Sequence, residues 1–179
     1  MERAGDLQAA CRELLPSYAR ARGETQRWGV LTRGCLQRWP VERLGEPGPP
    51  VAERFDEIAL SLLIDPMKDA GSILITAVER PSDMLCGLWL ARRSGLFVAG
   101  ATSRGAVGSR SRLGLVPAFK PAALGHAAYT LATLYANAAY KRHLAARGNA
   151  QEVQLEAGAG DVHERLSRQA RSWGVALSL

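Results

Sequence analysis

Apolar positions recur at helical spacing through most of the chain and give way to short unbroken runs near its middle. Leu7, Cys11, Leu14 and Leu15 fit a 3.6-residue period, with Asp6 as the cap, Pro16 as a stop and Ser17 able to begin a second helix. After Gly23, the residues Trp28, Leu31, Cys35, Leu36 and Trp39 form one apolar stripe, and Arg27, Arg33 and Arg38 fall beside or opposite it. The run Gly45-Glu46-Pro47-Gly48-Pro49-Pro50 is a cluster of helix and strand breakers. It divides the sequence into a helical N-terminal arm at 1–44, a linker at 45–50 and a main domain at 51–179.

Beyond the linker, Val51, Phe55, Ile58, Ala59 and Leu62 predict another amphipathic helix, with Glu53, Arg54, Asp56 and Glu57 on its wet side. The β-branched run Ser72 to Val78, bounded by Gly71 and by Arg80-Pro81-Ser82-Asp83, predicts a strand buried on both faces. Leu85 to Ala91 and Leu96 to Thr102 read as two further strands joined by Arg92-Arg93-Ser94-Gly95 in a hairpin. A helix from Asp83 through Trp89 competes, because Met84, Gly87, Leu88 and Ala91 also fit the helical period. Leu113 to Phe119 returns the chain to the core, and Gln151 to Ala157 can add a strand. Pro121 suits the first position of a long Ala-rich helix that runs to Arg147 and stops at Gly148. Asp161 with Glu164 resembles a capping box ahead of a last helix carrying Val162, Leu166, Ala170 and Trp173. The expected fold is α+β and predominantly helical: amphipathic helices around a small central β element at about 71–102, with the Ala-rich helix at about 121–147.

Charge changes this picture more than composition does. The chain has 179 residues, enough to bury a substantial core, and a formal net charge of +6. No Asp or Glu occurs between Asp83 and Glu152, while Arg92, Arg93, Arg104, Arg110, Arg112, Lys120, Lys141, Arg142 and Arg147 all fall there. The basic character is therefore local. Glu2, Asp6, Arg12 and Glu13 interrupt the first residues and exclude the apolar core of a secretory signal, and no run approaches the ~18 apolar residues of a membrane span. A cytoplasmic protein without a membrane partner is expected. Cys11, Cys35 and Cys86 are odd in number, widely spaced and set in apolar patterns, which predicts reduced buried thiols.

Chemistry-bearing motifs are scarce. No cysteine has another Cys or a His within four residues, so no metal site is expected. Cys86 with His126 is the one nucleophile and base pair that can be nominated, and it lacks a local signature. Neither GxxxxGK[ST] nor GxGxxG is present, although Arg104-Gly105-Ala106-Val107-Gly108 superficially suggests a phosphate loop. No catalytic residue and no cofactor is assigned.

What remains is a set of phosphate-binding candidates. Arginine outnumbers lysine, twenty to three, and its planar fork suits phosphate. The Gly/Ser-rich run from Ser103 to Arg112 would let Arg104, Arg110 and Arg112 follow a nucleic-acid backbone, bordered by Arg92, Arg93, Lys120, Lys141 and Arg142. The leading expectation is a non-catalytic, sequence-independent RNA- or DNA-binding subunit of a larger nucleoprotein assembly. Its profile is similar to that of small basic subunits of RNA-guided defence complexes and of plasmid and phage accessory proteins. Other subunits, or a second copy meeting the Ala-rich helix, are the expected protein partners. The alternative is a regulatory module for dimerisation or ligand sensing: Gly87 to Ala101, the Ala-rich helix and Glu152 to Glu156 together resemble the strand–turn–strand, helix, strand order of roadblock-type dimerisation domains. A small transferase using a phosphorylated cofactor is a third reading.

Overall fold

The computed structural model describes residues 1–37, 47–67, 70–100, 108–155, 160–172 and 174–178. The fold is α+β and predominantly helical. Its centre is a parallel sheet of four short strands, β1 (Glu2–Arg3), β2 (Ser72–Thr76), β5 (Gly114–Phe119) and β7 (Gln154–Leu155), in the spatial order β1-β2-β5-β7. The register pairs Arg3 with Thr76, Ser72 with Gly114 and Phe119 with Leu155. Strand order advances across the sheet in one direction, so each crossover must climb over a face carrying helices. The first crossover holds α1 (Ala4–Leu14), α2 (Pro16–Ala19), α3 (Glu24–Leu36) and α4 (Pro50–Ile64). The second holds α5 (Pro81–Arg93) and the antiparallel pair β3 (Phe97–Val98) and β4 (Arg110–Ser111). The third holds α6 (Leu124–Ala136), α7 (Ala138–Ala145) and β6 (Ala150–Glu152). Beyond β7 come α8 (Gly160–Ser172) and β8 (Ala176–Ser178), and β8 pairs parallel with β6.

Helix α5 is the hub, and every one of its residues is buried. The hairpin expected over Leu85 to Thr102 is therefore replaced by the competing helix, with β3 its sole described strand. A helix apolar all round has no polar face to betray its period, which is why strand and helix look alike there. Pro81 sits at its first turn, and Asp83 Oδ2 accepts the N–H groups of Glu79 at 3.0 Å and Arg80 at 2.9 Å. Asp83 Oδ1 accepts from Gln8 of α1 at 2.5 Å. α1, α3 and α6 all pack on α5. Two glycines permit that closeness: a Cβ at Gly87 would meet Ile75 of β2 at 2.8 Å, and one at Gly34 of α3 would meet Trp89 at 2.8 Å.

Smaller departures have equally local causes. Asp6 lies in the first turn of α1 instead of capping it, because β1 brings the chain in at Arg3. Asp56, expected on the wet side of α4, is buried and receives the Arg93 guanidinium at 2.8 Å and the Ser94 hydroxyl. The helix expected at 121–147 is divided: a 3-10 turn spans Pro121–Ala123, and Asn137 leaves helical geometry to cap α7. Its Oδ1 accepts from Ala139 N at 2.9 Å and Tyr140 N at 3.1 Å, while its Nδ2 donates to Thr32 of α3 at 2.7 Å. The three cysteines are buried and reduced, with Cys11 directed at the Cys86 carbonyl and Cys86 at the Tyr18 hydroxyl. Among the described residues, no helix is long and apolar enough to cross a membrane.

Candidate active site at the carboxyl edge of the sheet

In an open parallel sheet, ligands bind in the crevice beyond the carboxyl ends of the strands. Here β2 and β5 end side by side, with Val78 N–H donating to the Ala118 carbonyl at 3.4 Å. Beyond them opens a cavity of about 330 Å³ lined by Ala77, Val78, Glu79, Arg80, Lys120, Ala122, Ala123 and His126. The segment after β2 delivers the first four of these residues, Lys120 follows β5 directly, and the start of α6 delivers His126. Ala77 has φ 57°. An L-alanine in the left-handed region costs about 1–2 kcal/mol, and such strained residues gather at sites where the chain must point something particular into a cleft.

Electrostatics single out the same crevice. Among the described residues, the side chains of Arg80, Lys120 and His126 make no hydrogen bond or ion pair. The N-terminus of α5, which would otherwise draw an anion, is already occupied: Glu24 accepts the Ser82 N–H at 2.9 Å and the Ser82 hydroxyl at 2.7 Å. An anionic ligand would therefore be held by the two cationic side chains, with His126 beside them to exchange a proton. No group of His, Cys, Asp and Glu able to hold a metal ion occurs among the described residues.

Of the residues expected on a nucleic-acid track, Arg92, Arg110, Arg112 and Arg142 gather around β3, and most of their side chains are already engaged by the protein. Arg92 and Arg93 expose 9% and 5% of their surface. Arg92 donates to the Gln37 carbonyl at 2.9 Å and to the Phe97 carbonyl at 3.2 Å, and Arg93 pairs with Asp56, so neither can reach a phosphate. Arg112 holds the Pro66 carbonyl at 2.6 Å, and Arg142 holds the Gly100 carbonyl at 3.1 Å. Arg110 and Lys141 are exposed, and Lys120 faces the crevice. Arg104 lies outside the described residues. The nominated pair of Cys86 and His126 is also separated, since Cys86 is buried in α5 and His126 is exposed on α6.

A family model described as phosphoenolpyruvate carboxylase matches residues 50–158, more than half of the chain. The chain belongs to the phosphoenolpyruvate carboxylase family. Membership overturns the expected non-catalytic nucleic-acid-binding subunit, because the family is one of metabolic enzymes. The nucleic-acid partner and the nucleoprotein assembly built around it fall with that expectation. The roadblock-like order is absent too, since α5 fills the place of its first strand and turn. No curated protein matches the chain significantly. Every residue lining the carboxyl-edge crevice lies inside the segment that the phosphoenolpyruvate carboxylase model covers. Arg80 and Glu79 were missed from sequence, and His126 was nominated only as a base for Cys86, because a site at strand ends becomes visible only once β2 and β5 are known to be parallel neighbours. The signal available was Arg80-Pro81, a cation directly before a helix start and just after a strand.

Proposed function

We propose that the chain is an enzyme of the carboxylase type which binds a phosphorylated carboxylic acid of the phosphoenolpyruvate class in the carboxyl-edge crevice. The observation that carries this reading is the pair of cations, Arg80 and Lys120, which have no partner among the described residues and line a crevice that falls wholly within the family segment. A substrate bearing both phosphate and carboxylate needs more than one cation, and the segments that follow β2 and β5 supply one each. Arg80 supplies a planar fork and Lys120 a compact charge. Cations fixed in advance also stabilise negative charge that builds on a substrate oxygen, without reorganising as it does so. His126 is the proton-transfer group of the set.

Calorimetric titration of phosphoenolpyruvate at low ionic strength, run beside incorporation of labelled bicarbonate into acid-stable product, tests the reading. Saturable binding is expected, with Arg80→Met and Lys120→Met each weakening it by about tenfold or more. Absence of binding, or undiminished binding by the double variant, refutes it.

A further inference from the structure

A second cavity, of about 280 Å³, lies at the opposite, amino edge of the same two strands. Ser72 and Gly114 open β2 and β5 there, His143 and Arg147 come from α7 and the turn after it, and Glu152 and Ser178 come from β6 and β8. Gln151 on this lining is bonded to Tyr140 and to the Leu115 carbonyl, but other polar atoms there have no partner among the described residues. His143 is 2% exposed, and its Nδ1 lies 2.8 Å from the Ser111 hydroxyl, yet its Nε2 takes no hydrogen bond among the described residues. The Arg147 guanidinium and the Ser72 hydroxyl are likewise without a partner among those residues.

Gly114 is what leaves these groups room. A methyl group at its α-carbon would collide with Ser72 Oγ and meet Arg147 Nη2 at 3.3 Å, so the guanidinium and the hydroxyl both hang over a backbone with no side chain. His143 lines the same cavity, so its ring is within reach of a ligand there. The turn that delivers Arg147 is itself wound tightly, with Gly148 and Asn149 in succession at φ 73° and 56°, and the Asn149 carbonyl is held by Ala176 of the β8 strand. The cradle is thus tied on both sides.

We infer that this amino-edge cavity is a second ligand site, which takes a small monocarboxylate on Arg147 with Ser72 and His143 as its hydrogen-bonding neighbours. Geometry and charge both favour a small ligand charge: one guanidinium fork matches one planar carboxylate in two parallel hydrogen bonds, and the Glu152 carboxylate on the same lining repels a phosphate dianion more strongly than a single carboxylate. This site is separate from the carboxyl-edge crevice and does not depend on that reading.

The test is saturation-transfer NMR on the acetate methyl signal, titrated against the intact protein with chloride at matched ionic strength as the control. Acetate should bind saturably in the millimolar range expected of so small a ligand. Arg147→Met should weaken it by about tenfold or more, and Ser72→Ala, at an exposed strand start, by several-fold, while Lys120→Met leaves it within about twofold. No saturable signal in the wild type, unchanged binding in both the Arg147 and Ser72 variants, or an equal loss in the Lys120 variant would each overturn the inference. Failure of acetate to bind leaves phosphoenolpyruvate binding at Arg80 and Lys120 unaffected, so the two sites stand or fall separately.

Discussion

At its C-terminal end α5 withdraws Arg92 and Arg93 from water and spends them on the Gln37 and Phe97 carbonyls and on Asp56; at its N-terminal cap Arg80 lines an open crevice, with no partner among the described residues. The same residue type, a dozen positions apart on one helix, is mortar at one end and an open hand at the other. Burial presses the Arg92 guanidinium below its usual range, with Cys35 acting against that shift, while its carbonyl partners accept the charge-assisted hydrogen bonds it must keep. What separates the two ends is partnership. A local excess of positive charge in sequence says how many cations there are, and only the fold says which of them are still available.

The contrast breaks most visibly at the buried end. Arg93→Met strands the Asp56 carboxylate inside α4 and should cost about 3–5 kcal/mol, read as a lower midpoint in urea unfolding. A loss below about 1 kcal/mol would mean that Arg93 is not structural. Next in size is a pH effect beside the same end, where His143 packs edge-on to Phe97 with ring centroids 6.0 Å apart. Burial, helped by the nearby Arg147 charge, lowers the His143 pKa from 6.5 to about 3. The folded state therefore binds this proton less readily than the unfolded chain, so the stabilisation is intact above pH 6.5 and is lost as pH falls toward 3. Between pH 7 and pH 5 the loss should be about 2 kcal/mol in denaturant midpoints, and a His143→Gln variant should lack that slope. The smallest effect belongs to the open end: Arg80→Met and Lys120→Met should each shift stability by no more than about 0.5 kcal/mol while weakening phosphoenolpyruvate binding. A large stability loss there would erase the distinction between the two ends.

Helices with a wet face were legible. Val51, Phe55, Ala59 and Leu62 define α4, and Leu31 and Cys35 anchor α3 at the spacing the sequence displays. Where a wet face is missing, spacing lost its meaning, and α5 looked as much like a hairpin as a helix. Asn137 shows a different limit: in an Ala-rich run it is one polar residue among many small ones, yet it caps α7 while its amide is held by Thr32, more than a hundred residues earlier. The basic turn at Arg92-Arg93 misled for a related reason. Two adjacent arginines usually mean solvent, and nothing in their neighbours announced that Asp56, on another helix, would draw one of them inward. The crevice was hidden by topology, because Arg80 and Lys120 meet only when β2 and β5 lie parallel and adjacent.

The three thiols give the protein a built-in clock. Cys11, Cys35 and Cys86 share the core under α1, α3 and α5, and burial pushes the Cys11 and Cys35 thiols well above their ordinary range. An alkylating reagent can label these sulfurs only during moments when the helices part. Labelling in plain buffer, followed by mass spectrometry, would thus time how often each helix lifts from α5, and the order in which the sulfurs are taken would show which lets go first.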